Sequence, residues 1–198
     1  GSVAGLGLAS GAPPLYLNPP SYPKSITTTL FTNSGSLTSK QAFQYEGFAD
    51  SNFKRVTQET DTGFDQQTLR STTTQWVSGG NYAPQTGNLL DFVQSKTGTD
   101  HITGVTSTTS YGYSPTHSGD ITSITHSGTG VSPLTTTVLT MDAYGRPLTV
   151  QDPRGAITTY GYQDTWGDST CAPSSNSQAY LTSVTNALGQ TTTYQYDS

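Results

Sequence analysis

At 198 residues the chain is long enough to bury a respectable core, yet hydrophobic residues are only 31% of it and charged residues 11%. Thr fills about a fifth of the positions, and with 12 Tyr, 6 Phe and 2 Trp in strand register it points to an ordered all-β protein rather than a disordered chain. A net charge of -5, a pI near 4.8 and 8 Lys plus Arg exclude a phosphate-backbone partner, so no nucleic acid is expected.

Residues 1–25, GSVAGLGLASGAPPLYLNPPSYPKS, are too rich in Gly and Pro for a central strand or helix. They read as an extended arm or linker. Val3, Leu6, Leu8, Leu15, Tyr16 and Leu17 are more apolar than a solvated linker needs, which makes the arm a candidate inter-subunit contact. Residues 26–198 form the β-hairpin repeat domain. Ile26–Phe31 and Ser39–Tyr45 are predicted strands about a turn at 33–36, followed by strands at 54–60, 68–77 and 89–96, with Gly98-Thr99-Asp100 as the next turn. Ser107–Tyr113 and Ile121–Thr125 are partial copies of later segments, and Leu139 and Met141 precede a turn at Asp142–Arg146.

The segment 148–164, LTVQDPRGAITTYGYQD, is the best-preserved unit. It returns as LTSVTNALGQTTTYQYDS at 181–198, with Gly155 over Gly189, Asp152 over Asn186, Tyr160 over Tyr194 and Tyr162 over Tyr196. Pro153 and Gly155 supply the turn, and the β-branched and aromatic run after them supplies a strand. Setting aside a loop insertion at 165–177, the repeat has a period of about 21 residues, enough for two strands and two turns. The predicted fold is therefore all-β: repeated antiparallel hairpins forming an extended or spiralling sheet.

Tyr144-Gly145-Arg146-Pro147-Leu148, then Asp152-Pro153-Arg154-Gly155, then Thr159-Tyr160-Gly161-Tyr162 resembles the Rhs or YD repeat of bacterial secreted and surface proteins, and Tyr196-Asp197 carries the name-giving pair. Phe43–Phe48 with Arg55-Val56-Thr57 resembles a degenerate copy. Met141, Gln163 and Asn186-Ala187 depart from the pattern. The resemblance implies a toxin-enclosing shell or a wall-associated, adhesive surface protein, outside the cell, with further YD-repeat segments or identical subunits as partners. The autoproteolytic core of that family finds no match in these residues.

Individual residues agree with a structural role. Asp142, Asp152 and Asp164 suggest glycosidase carboxylates, but Asp beside Pro or Gly is the ordinary turn residue. His101, His117 and His126 read as loop residues without metal-ligand spacing, and a single Cys171 offers neither a disulfide nor a zinc site. No cofactor and no metal are expected. No run reaches the roughly 18 apolar residues of a membrane span, and no basic leader precedes the arm. Arg146 is expected to lie along Tyr rings, and the tyrosines to form a thin core between sheet layers. The expectation is a non-catalytic scaffold that assembles through strand edges into a shell or filament. The other reading is a surface adhesin that stacks glycan on its Tyr and on Trp76 or Trp166.

Overall fold

The structure is a computed structural model, and it describes residues 22–47, 54–77, 92–115, 119–163 and 180–196. The arm residues Val3, Leu6, Leu8, Leu15, Tyr16 and Leu17, the 165–177 insertion with Trp166 and Cys171, and His117, Asp164 and Asp197 lie outside the described residues. Within them the Thr-rich and aromatic runs form twelve strands: β1 (Ser25–Thr32), β2 (Gly35–Gly47), β3 (Lys54–Thr62), β4 (Thr68–Trp76), β5 (Val93–Asp100), β6 (Thr106–Tyr113), β7 (Ile121–Gly128), β8 (Val131–Met141), β9 (Pro147–Gln151), β10 (Ile157–Gly161), β11 (Ser183–Thr185) and β12 (Thr191–Thr193). Each pairs antiparallel with its neighbour in sequence, giving one open sheet in chain order. The fold is the predicted repeated-hairpin sheet. No helix among the described residues is long and apolar enough to cross a membrane.

Three turns share one construction. In Asp142–Arg146, Asp152–Ala156 and Asn186–Gln190 the first residue donates its N–H to the carbonyl of the fifth, and its own carbonyl accepts from the fourth, a Gly with φ of 81, 87 and 77°. The side-chain Oδ1 of the first residue accepts the N–H of the third and the fifth at 2.8 to 3.0 Å. An acceptor oxygen is all the turn requires at its first position, so Asn186 serves where Asp152 does. Gly63–Gln67 follows the same backbone path, with Gln66 at φ 65° in the place of the Gly.

Two local expectations change. Gly98–Asp100 lies within β5, and the turn follows it, because Asp100 Oδ1 accepts the N–H groups of Ile102 and Thr103 and so begins a turn. His126 sits in β7, where Nδ1 meets Thr109 Oγ1 at 3.1 Å on the preceding strand, so it is not a loop residue. His101 is in a turn, with Nε2 2.9 Å from Ser71 Oγ.

Side chains alternate along a strand, and directly paired residues share a face. The register therefore sorts the sheet into two faces. One carries the bulk of the aromatic and aliphatic groups, among them Phe43, Tyr45, Trp76, Tyr113, Ile124, Val138, Val150, Tyr160 and Val184. The other is a carpet of Thr and Ser, with hydroxyls bridging strands at Thr97–Thr108, Thr125–Thr135, Thr140–Thr149 and Thr185–Thr191, at 2.6 to 2.9 Å.

No second layer covers either face among the described residues, and no hydrophobic residue there is buried. The tyrosines thus do not form a core between sheet layers. Tyr144 is 74% exposed and Tyr194 40%. Among the described strands, each packs only against its neighbours in sequence.

Candidate functional site

The even-numbered strands all run the same way, and at their shared end each has a large side chain within three residues of its last residue: Tyr45, Trp76, Tyr113, Met141, Tyr162 and Tyr196. These form a seam along one border of the sheet. Tyr45 pairs with Val56 of the following strand, Trp76 with Val93, Tyr113 with Ile121 and Met141 with Pro147. Beside each pair the register slips by one residue, leaving Thr57, Gln94, Thr122 and Leu148 without a partner. Such bulges re-aim the neighbouring side chain and increase twist.

The seam is closed in the other direction by hydrogen bonds to the preceding strand. Tyr45 Oη donates to the Pro23 carbonyl at 2.8 Å, Trp76 Nε1 to Val56 at 3.0 Å, Tyr113 Oη to Val93 at 2.7 Å and Tyr196 Oη to Leu181 at 2.6 Å. A ring from the preceding strand's start stacks on three of these tyrosines: Tyr22 on Tyr45, Phe92 on Tyr113 and Tyr180 on Tyr196, at 4.9 to 5.4 Å between centroids. Two cations fill the equivalent place elsewhere. Arg55, 4% exposed and ion-paired with Glu46, lies 5.0 Å from the Trp76 ring, and Arg146 lies 4.4 Å from Tyr162 and 5.3 Å from Tyr144. The seam was legible in retrospect as Gln or Gly before an aromatic, in Gln44-Tyr45, Gln75-Trp76, Gly112-Tyr113, Gly161-Tyr162 and Gln195-Tyr196.

The Gly of Tyr-Gly-Tyr has a steric cause. A Cβ on Gly112 would overlap Ser123 Oγ, and one on Gly161 would overlap Ser183 Oγ, on the paired strands. Both lie one residue past a bulge position, Thr122 or the corresponding Thr182, whose N–H donates to Gly161 at 2.8 Å.

Arg146 brings the predicted motif residues together. Its Nε and Nη2 bond Asp142 Oδ2 at 2.7 and 2.6 Å, inside the turn that Gly145 closes. Desolvation pushes the Asp142 carboxyl up, but the Arg146 side-chain bond, the N–H bonds from Arg146 and Tyr144 and the Arg146 charge outweigh it and hold it below its ordinary value. Burial pushes the Tyr162 phenol up against the opposing Arg146 charge. Asp152, Pro153 and Gly155 form a separate turn at the opposite end of the sheet, with Gly189 in its twin. Tyr160 lies in β10 and Tyr194 just past β12, both short of the seam.

The surface has shallow grooves. One of about 240 Å³ on the aromatic face is lined by Phe43, Val56, Glu59, Trp76, Val93 and Lys96. Another, of about 270 Å³, has Val105, Val131 and Leu134 with His126 at its wall. No three of His, Cys, Asp and Glu lie close enough together to hold a metal ion among the described residues.

No family model matches the chain, and no curated protein matches it. Among solved structures it is similar to TcdB2-TccC3 without its hypervariable C-terminal region, at 18% identity and a TM-score of 0.39, and to TcdB2-TccC3-TEV, at 18% and 0.37. Each likeness covers 83% of this chain, and the chain spans 9% of the length of each of those chains.

Proposed function

We propose that the chain is a non-catalytic structural protein of the bacterial exterior, a YD-type β-scaffold that builds a shell or a surface assembly through its strand edges. The seam carries this reading. Its six stations occupy the aromatic and cationic residues of the motif in holding neighbouring hairpins together, and each added hairpin extends the sheet without closing it. Asp142 and Asp152 each use Oδ1 to accept two backbone N–H groups, and Asp142 Oδ2 accepts from Arg146, which gives both a structural task in their turns. Uncovered apolar and hydroxyl faces suit a surface that meets other protein.

Fractionation of the native source with an antibody to the sheet, followed by native mass spectrometry, tests the reading. The chain is expected in the outer-surface or secreted fraction, within a particle heavier than 20.9 kDa. A free cytoplasmic monomer of that mass would overturn it. A second reading, a glycan-binding adhesin module, draws on the groove where Phe43 and Trp76 lie beside Glu59 and Lys96, because sugars stack on rings rimmed by polar groups. A glycan array probed with the chain and with Trp76→Ala decides it: hits lost in the variant support the adhesin, and an empty array disposes of it.

A further inference from the structure

We propose that β1 is a docking edge for a second copy of this chain, the two β1 strands pairing antiparallel about a two-fold axis through Thr28 so that both sheets continue as one. The inference rests on the scaffold reading and names its partner. Among the described strands β1 pairs with β2 alone, and all eight of its residues are exposed. The β1–β2 connection has two residues, Asn33 and Ser34, and the Phe43 N–H reaches the Lys24 carbonyl at 2.9 Å. Even-numbered residues therefore bond to β2, and Ser25, Thr27, Thr29 and Phe31 turn their N–H and C=O groups outward.

Natural sheets protect such an edge with charges, Pro, bulges or short strands. Ser25–Thr32 has none of these, and it displays Ile26 at 53%, Leu30 at 51% and Phe31 at 83% exposure.

The sequence of β1 is complementary to itself in one register. A two-fold axis perpendicular to the sheet keeps each face continuous only when it passes through a residue, since faces alternate with period two. Centred on Thr28, it sets Ile26 against the partner's Leu30, Thr27 against the partner's Thr29 and Ser25 against the partner's Phe31. The outward-facing odd residues then fall into hydrogen-bonded pairs, each exchanging two N–H···O bonds. Ile26 and Leu30 fall into the closer, non-hydrogen-bonded pairs, on the aromatic face beside Leu37. Lys24 meets the partner's Thr32, so no like charges are opposed. The other edge strand, β12, has three residues, Thr191–Thr193, so an eight-residue edge finds its equal in length only in another β1. The contact is isologous and closes at two copies.

Sedimentation equilibrium and cysteine cross-linking of the full chain, in a Cys171→Ser background, test the proposal. The expected mass is twice 20.9 kDa. Thr29→Pro removes an outward N–H without touching the β1–β2 bonds, so it is expected to give the single-chain mass with an unchanged β circular dichroism spectrum. Thr28→Cys should form an inter-chain disulfide on mild oxidation, and Ile26→Cys only when mixed with Leu30→Cys. A single-chain mass for the parent chain, a dimer that survives Thr29→Pro, a mass that keeps growing with concentration, or self-linking of Ile26→Cys in preference to Thr28→Cys would each overturn it. These outcomes leave the scaffold reading to its own fractionation test, because other edges or faces would still serve assembly.

Discussion

Asp142 and Asn186 hold equivalent positions in two turns, and their fourth-bond chemistry differs in a way that can be exchanged. Oδ1 performs the same task in both, while Asp142 Oδ2 accepts from Arg146 and Asn186 Nδ2 donates to Gln190 Oε1 at 2.8 Å. Asp142→Asn is expected to lower the urea denaturation midpoint through loss of the charge-assisted bond. The double variant Asp142→Asn/Arg146→Gln rebuilds the Asn186–Gln190 pairing and is expected to recover part of that loss in urea denaturation, less the ring contacts of Arg146. Acid should act through the same residues. Asp100 is held below its ordinary value first by the Thr103 N–H and then by the Ile102 N–H, and Asp142 is lowered as described above. A depressed folded-state pKa means that the stabilisation is complete above the unfolded value, near 3.9, and is lost as the pH falls through the folded value. Melting temperature is therefore expected to be flat from about pH 7 to 5 and to drop below about pH 4, with a shallower drop in Asp100→Asn/Asp142→Asn.

At the scale of the element, the repeating unit is a pair of strands fastened at one end by a local turn and, in four of the six pairs, at the other by an aromatic side chain hydrogen-bonded across the pair. Removing only the hydroxyl isolates the second fastening. Tyr113→Phe and Tyr196→Phe are each expected to cost about 0.5 to 1.5 kcal/mol, the net worth of a buried or half-buried hydrogen bond. Tyr160→Phe is the control, since its hydroxyl bonds no other group of the described residues, and its denaturation midpoint should stay at the parent value. Parent-like midpoints for Tyr113→Phe and Tyr196→Phe would show that ring packing, rather than the bond to Val93 or Leu181, fastens the unit. The interval between stations is shortest from Met141 to Tyr162, where a five-residue turn links β8 to β9, and lengthens elsewhere with the segments joining one hairpin to the next.

For the molecule as a whole, the single layer formed by the described residues sets the thermodynamics. Folding leaves apolar side chains on the sheet partly hydrated, so unfolding exposes less new apolar surface than in a two-layer domain. The heat-capacity increment of unfolding, measured by calorimetry on the isolated chain, is expected to fall well below the usual 12–15 cal/mol/K per residue, roughly half of it. A value in the ordinary range would mean that the aromatic face is covered in solution. Because each strand touches only its neighbours in sequence, stability is a sum of adjacent pairs, and hydrogen exchange should show protection falling towards both edges of the sheet.

The turns at Asp142, Asp152 and Asn186 were legible in the sequence because their chemistry is local: an acceptor side chain, two N–H groups and a Gly at positive φ lie within five residues. The strands were legible for the same reason, through Thr, Val and Tyr in alternation. Pairing was not. The bulges at Thr57, Gln94, Thr122 and Leu148 arise only when one strand slips past another, and a bulge shifts which residues share a face. So the one-layer sheet, its division into a hydroxyl and an aromatic face, and the placing of Tyr45, Trp76, Tyr113 and Tyr196 over carbonyls some 15 to 22 residues away were decided by tertiary structure. Composition and spacing made the strands and turns; inter-strand register made the seam.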